Sequence, residues 1–385
     1  MTISQAPSAV PTTLRFMAAR LVRRWRQGLP TPDADFRHAV DAALATLDVG
    51  AVRCDWRPLT PGSGWTDTGV ELRAGQRCSL LADGMVHLSR AFDVGFGPKV
   101  GLWFRVGNGR VGKIVGSAST FTADSDGTLQ VVTKPPGEFA DRHGDFDPTQ
   151  KRDPMTGAFN IAVLRWQDDG EAAIARCAAV DPTHFGPLLQ RLRAPVTPPA
   201  GWHYLWRLGE GEIFHSHDHG GQHSLRCRTA SDVGILQFPL DVPLTDATQL
   251  SWQWCVDRLP SALPEHIQPT HDYLSIAIEF DNGLDLTWMW SASLAEGTVF
   301  QCPLPWWDQR ETHWVLRSGT QQLGQWLAER RSLLADYRAA IGGPDPQRVV
   351  GVWLIANTAF QRGVGECQYR RIVVEGDHAP VVAFA

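Results

Sequence analysis

The chain has 385 residues, a formal net charge of −5, 43% hydrophobic and 20% charged residues, the proportions of an ordinary globular protein. Nucleic acid or an anionic membrane as main partner is argued against, because both need a concentrated basic surface and the one basic cluster is Arg20, Arg23, Arg24 and Arg26. No stretch approaches the ~20 apolar residues of a membrane span, and the length exceeds one usual hydrophobic core, so two domains are expected.

Residues 1–50 read as a tail and a helical arm. The first twelve are polar and proline-bearing and are expected to be disordered. From Thr13 to Gly28 the spacing is helical, with Leu14, Met17, Leu21 and Trp25 on one stripe and arginines between them. Such an arm either packs on a later domain or lies on a membrane surface, and its four turns of marginal amphipathicity favour the first. A second helix is expected from Ala34 to Leu47, with Asp33 as its N-cap. No apolar core of a secretory signal follows Arg15 and Arg20, so a cytoplasmic location is expected.

Between residues 55 and 167 short apolar runs alternate with Gly, Asp and Asn, the texture of an antiparallel sandwich. The runs WTDTGVELRAGQRCSLLADGMV, GPKVGLWFRVGNG, DGTLQVVTKPPGEF and TGAFNIAV resemble the soluble galactose-binding lectins of bacteria. That resemblance implies a calcium ion joining loop carboxylates to sugar hydroxyls. The matching loop, PPGEFADRHGDFDPTQKRDPMTGAF, offers Asp141, Asp145 and Asp147 as its ligands, calcium being bound by six to eight oxygens. It departs from the family pattern in Lys134, in its length and in lacking an Asn pair, and an acidic solvated loop without metal is the competing reading.

Residues 168–200 read as a linker with a short helix, ending in the proline-rich APVTPPAGW. A second β region follows over 201–377, with helical spacing from Thr320 to Ile341 that stops at Gly342-Gly343-Pro344. The overall expectation is an all-β protein: two sandwich or jelly-roll domains in tandem, a helical N-terminal arm and one helix in the second domain. His215, His217, His219 and His223 form the densest histidine cluster, but Gly220-Gly221 suggest that the strand has turned into loop there, and no zinc spacing is met. The seven cysteines, Cys54, Cys78, Cys177, Cys227, Cys255, Cys302 and Cys367, lack CxxC spacing and read as reduced, mostly buried thiols rather than a disulfide frame or a zinc site.

The segment HDYLSIAIEFDNG and, after a turn-rich break, RETHWVLRSG carry the chemistry. Period-two alternation puts His271, Tyr273 and Glu279 on one strand face, and Glu311, His313 and Arg317 on one face of a second strand. The expectation is that both project into shared solvent from neighbouring strands. His271 or His313, Tyr273 and Arg317 would suit a polysaccharide lyase. Glu279 with Glu311 or Asp281 would suit a glycosidase. Without chemistry, the same set would bind hydroxyls while Trp288 or Trp290 stacks on a sugar ring, with Trp306 and Trp307 as a loop platform. A fourth reading is a solvated outer face with a Glu311–Arg317 ion pair. Carbohydrate recognition is the primary expectation, a polysaccharide-acting enzyme the alternative, and an assembly role for the sandwiches a third; a homo-oligomer is left open.

The runs LSWQWCVDRLP, HDYLSIAIEFDNG, WMWS, GQWLAERRSLLADYR and GVWLIANTAF resemble the bacterial domain family of unknown function numbered 3047. The likeness spans most of 235–374 and implies a jelly-roll sandwich, with no activity attached.

Overall fold

The computed structural model describes residues 3–28, 33–62, 64–149, 154–168, 170–219, 221–305 and 307–385. Strands account for 43% of the described residues and helices for 17%, so the protein is mostly β. It divides into two compact units: Met1–Leu21 with Thr197–Leu205 and Glu212–Ala385, and Val22–Val196 with Trp206–Gly211.

The unit from Val22 to Val196 holds two sheets. One runs Val52–Leu59, Thr156–Trp166, Arg77–Ser89, Val94–Phe96, with Ala118–Thr122 also on Arg77–Ser89; the other runs Thr66–Leu72, Gly127–Thr133, Leu102–Val106, Gly112–Lys113. Residues 168–200 are not a linker with one helix. They form two helices, Glu171–Val180 and Gly186–Arg193, whose Ile174, Cys177 and Leu188, with Phe185 between the helices, share a core with Phe36 and Val40 of helix Phe36–Leu44 and with Leu164 and Trp166 of the sheet. Their apolar residues recur at helical spacing, and burial against the sheet holds them. The second N-terminal helix is thus shorter than expected, and Asp33 stands outside it, accepting the Asp35 N–H at 2.9 Å.

The larger unit is a sandwich. Its eight-stranded sheet has the order Ser4–Gln5, Thr298–Gln301, Glu311–Ser318, Asp285–Ser291, Tyr273–Phe280, Arg348–Asn357, Val233–Pro243, His203–Tyr204. The opposing sheet runs Phe214–His219, Gln222–Ala230, Val364–Glu375, Gln249–Arg258, Leu327–Ser332, with Val381–Phe384 also on Val364–Glu375. Even-numbered residues of the central strands, Leu274, Ile276, Leu286, Trp288 and Trp290, fill the space between the sheets with Trp252, Trp254 and Tyr369. The indoles pair across that space, Trp252 with Trp288 at 5.8 Å and Trp254 with Trp290 at 5.6 Å between ring centroids. Burying such large apolar bodies supplies much of what holds the two sheets together.

Three expectations are corrected in this unit. The first residues are ordered where described: Ser4–Gln5 pairs in parallel with Thr298–Gln301, and the first helix starts at Ala9. The helix expected over 320–341 is only Leu333–Ala340, because Leu327–Ser332 pairs with Gln249–Arg258 as a strand. Helical spacing in LAERRS lost to ladder hydrogen bonds, which a neighbouring strand offered and the sequence alone did not reveal. The histidine run does not break into loop after His217: Phe214–His219 and Gln222–Ala230 are the two arms of a hairpin.

Candidate functional site

The second face of the eight-stranded sheet is set by register. Asp285–Ser291 and Glu311–Ser318 run parallel with Asp285 beside Glu311 and Thr287 beside His313, and Tyr273–Phe280 adds Glu279 beside Asp285 and Ala277 beside Thr287. Odd-numbered residues of three strands therefore share one face. Glu279, Asp285 and Glu311 form a carboxylate row across it. Tyr273 and His313 stand on the same face, and the small residues Ser275, Ala277 and Thr287 leave room for their rings.

The six sequence candidates separate on this frame. His271, Tyr273, Glu311 and His313 come together: the three rings lie 4.6 to 4.9 Å apart between centroids, and Tyr273 Oη donates to Glu311 Oε1 at 3.1 Å. The expectation of neighbouring strands facing solvent is corrected on both counts. Asp285–Ser291 lies between the two, and all four side chains are buried. Glu279 joins the row from its rim, a quarter exposed, and pairs with Arg310 at 3.1 Å. Arg317 does not join. A register shift after Val315 puts Arg317 beside Trp290, and it pairs with Glu329 of the opposing sheet at 2.7 Å instead of with Glu311. One extra residue in a strand reverses the facing of everything beyond it.

The aromatic candidates are also corrected. Trp288 and Trp290 are fully buried in the sandwich core and cannot stack on a sugar ring. Trp307 is buried, with Arg310 lying over its ring at 5.5 Å, and Trp306 lies outside the described residues.

Five groups that sequence reasoning did not place complete the centre. Cys302 Sγ lies 3.5 Å from His271 Nε2, and Phe300 stacks on His313 at 5.0 Å. Glu265 receives the His271 Nδ1–H on its backbone oxygen at 2.7 Å, while its carboxylate accepts from Ser291 Oγ and Ala292 N, both at 2.6 Å. Arg310 bridges Glu279 and Asp285, reaching Asp285 Oδ2 at 3.0 Å. Thr287 Oγ1 donates to Glu311 Oε1 at 3.1 Å. Alternation would have placed Asp285 and Thr287, since both occupy odd positions; Cys302, in the proline-bearing CPLP turn, carried no local signal.

Electrostatics follow from depth. Burial, with His313 adding to it, pushes the His271 imidazolium down to about 3, so the ring is neutral. Burial and then the Glu311 carboxylate push the Cys302 thiol up. Asp285 is raised by burial and by Glu311, with Arg310 opposing. Burial would raise Glu311 too, but the His313 imidazole beside it holds the carboxyl below the ordinary carboxylate range.

One ligand atom each from His271, Cys302 and His313 lies within 4.8 Å of the other two, and among the described residues this is the one group of three His, Cys, Asp or Glu so arranged. His313 Nδ1 is buried without a hydrogen-bond partner, and its Nε2 lies 3.4 Å from Glu311 Oε1. The aspartates expected to hold calcium are not gathered in that way. Asp141 Oδ1 accepts the N–H groups of His143 and Asp145 at 2.8 and 3.3 Å, and Asp147 Oδ1 accepts from Thr149, so these carboxylates shape their own loop. His215 and His217 sit 6.4 Å apart between ring centroids, and His223 pairs with Asp218 at 2.6 Å. All seven cysteines are free, six of them buried, as the sequence suggested.

Residues 207–373 match the model of a family described as a protein of unknown function, DUF3047. No curated protein matches the chain. Among solved structures, the chain is similar to the N-terminal domain of EclA, a PllA-like lectin, at 19% identity, covering 30% of this chain and 98% of that one with a TM-score of 0.23. It is also similar to the xyloglucanase domain of NopAA from Sinorhizobium fredii, at 11% identity, 48% and 97% coverage and a TM-score of 0.29. A family 30 carbohydrate-binding module of a Clostridium thermocellum cellulase shows 10% identity, 48% and 90% coverage and a TM-score of 0.26.

Proposed function

We propose that the C-terminal sandwich is a metal-binding domain, in which His271, Cys302 and His313 hold one first-row transition-metal ion of the zinc class. The spacing of one donor pair within a group of three carries this reading. With metal–sulfur and metal–nitrogen bonds of ~2.3 and ~2.0–2.1 Å, a tetrahedral ion holds its sulfur and nitrogen ligands ~3.5–3.6 Å apart. The His271 Nε2 to Cys302 Sγ distance of 3.5 Å fits that edge. The surroundings fit as well. His271 has its Nδ1–H engaged on the Glu265 carbonyl, which leaves the Nε2 lone pair turned to Cys302, and Glu311 lies beside His313 as an outer carboxylate. Backbone carbonyls and carboxylates behind imidazoles are the usual means of fixing a metal-binding tautomer. A thiolate with two imidazoles favours zinc or copper over calcium or magnesium.

Three protein donors leave a fourth position for water or substrate, the pattern of a catalytic rather than a structural site. The ion would act there as a Lewis acid. Tyr273 and Glu311, joined by a hydrogen bond, would stand beside it as proton-handling groups.

The test is equilibrium dialysis of the chelator-stripped protein against Zn2+. The expected result is one ion per chain, lost in Cys302→Ala and in His313→Ala and retained in His217→Ala. No bound zinc, or equal binding by all variants, would overturn the assignment.

A polysaccharide-acting enzyme is a second reading, supported by the row of Glu279, Asp285 and Glu311 in cross-strand register with the Arg310 fork at its accessible rim. Release of reducing ends from a panel of polysaccharides, abolished by Glu311→Gln, would support it; a uniformly negative panel would count against it.

A further inference from the structure

The first helix, Ala9–Gln27, is oriented opposite to an ordinary amphipathic helix. Thr12, Phe16 and Arg20 are its buried residues, and Arg20 Nη2 donates to the Phe360 carbonyl at 2.6 Å. At 100° per residue these three occupy an arc from 200° to 280° measured from Val10. Val10, Leu14, Met17, Leu21 and Trp25 lie within about 60° either side of Val10, on the outward side. Val10 is 63%, Leu14 61%, Leu21 53% and Trp25 85% exposed. The apolar stripe seen in the sequence is thus real, but it faces away from the protein.

Its flanks are basic. The helix contains Arg15, Arg20, Arg23, Arg24 and Arg26 and no acidic residue, in a chain whose net charge is −5. Arg24 borders the stripe on one side, and Arg15 and Arg26 border it on the other beyond Val22. All three are exposed.

We propose that this helix docks on an anionic lipid surface, lying in the interface with Val10, Leu14, Leu21 and Trp25 inserted and Arg15, Arg24 and Arg26 on lipid headgroups. An exposed aliphatic stripe with one tryptophan and arginine flanks is the composition that binds there. The stripe from residue 10 to 25 is about 22 Å long, and among the described residues no helix is long and apolar enough to cross a membrane, so the helix lies on the bilayer rather than through it. A second copy of the chain is a poor occupant, since it would set arginine flank against arginine flank. The overall charge of the chain concealed this surface, because attraction to headgroups decays within a Debye length and depends on local charge. The inference does not rest on the metal centre.

The experiment is co-sedimentation of the full chain with vesicles of phosphatidylcholine alone and of phosphatidylcholine mixed with phosphatidylserine. The protein is expected to sediment with the mixed vesicles only. Added salt and the double variant Arg24→Glu/Arg26→Glu each reduce bound protein by about tenfold or more, and Leu14→Glu/Leu21→Glu abolishes binding. Val382→Glu, which removes an exposed apolar residue elsewhere, binds as the unaltered chain does, and thermal unfolding of every variant checks the fold. Failure to sediment with mixed vesicles, equal sedimentation with both vesicle types, or unchanged binding by Leu14→Glu/Leu21→Glu would overturn the proposal, as would a lipid-independent dimer that the same variant dissociates.

Discussion

Tyr273 Oη donates to Glu311 Oε1 at 3.1 Å although the strand Asp285–Ser291 separates their two strands. The phenol spans that strand over the small side chain of Thr287, which donates to the same oxygen. A buried carboxylate with two hydroxyl donors and an imidazole at 3.4 Å is costly to build and is held in a fixed position.

Tyr273→Phe removes one donor from Glu311 while keeping the edge-on ring contact with His313. A loss of about 1–2 kcal/mol is expected in urea unfolding, with zinc stoichiometry unchanged. If zinc is lost instead, Tyr273 belongs to the ligand set.

Glu311→Gln keeps the shape and removes the charge beside His313. Outer carboxylates of this kind contribute about 10–100-fold to metal affinity. Competition with a chromophoric chelator should show a weakening of that order with stoichiometry preserved. Asp141→Asn, in the loop that the lectin resemblance pointed to, should leave zinc affinity unaltered.

Trp288→Ala opens a cavity between the sheets where the indole faces Trp252 at 5.8 Å. The expected destabilisation is about 3–5 kcal/mol by chemical unfolding. A loss near zero would mean that the indole is not part of the packed core.

Arg317→Ala strips Glu329 of its partner while Trp254 Nε1 continues to donate to that carboxylate at 3.2 Å. Because the pair is partly solvated, about 1 kcal/mol of stability is expected to go. Metal binding should be untouched, which separates Arg317 from the centre that it was grouped with in the sequence.

Much of the architecture was legible because period-two patterns are strong where one sheet face is apolar. The alternation of Leu274, Ile276 and Ile278 with Tyr273, Ser275 and Glu279 gave both the strand and its facing. What failed was local pattern in competition with distant contacts. LAERRS has helical spacing but meets Gln249–Arg258 and becomes a strand. Arg317 kept its parity in the sequence and lost it to a register shift. Burial of the polar face was also invisible, since polar alternation ordinarily signals solvent; it takes His271, Cys302 and Phe300, from other parts of the chain, to surround His313. Cys302 lies 31 residues from His271, with no motif joining them.

X-ray absorption at the edge of the bound metal tests the central claim most directly. A zinc-loaded chain is expected to show one sulfur at ~2.3 Å and nitrogen neighbours at ~2.0–2.1 Å, with imidazole back-scattering from two rings. A first shell of oxygen alone, or a sulfur that persists in Cys302→Ala, would contradict it.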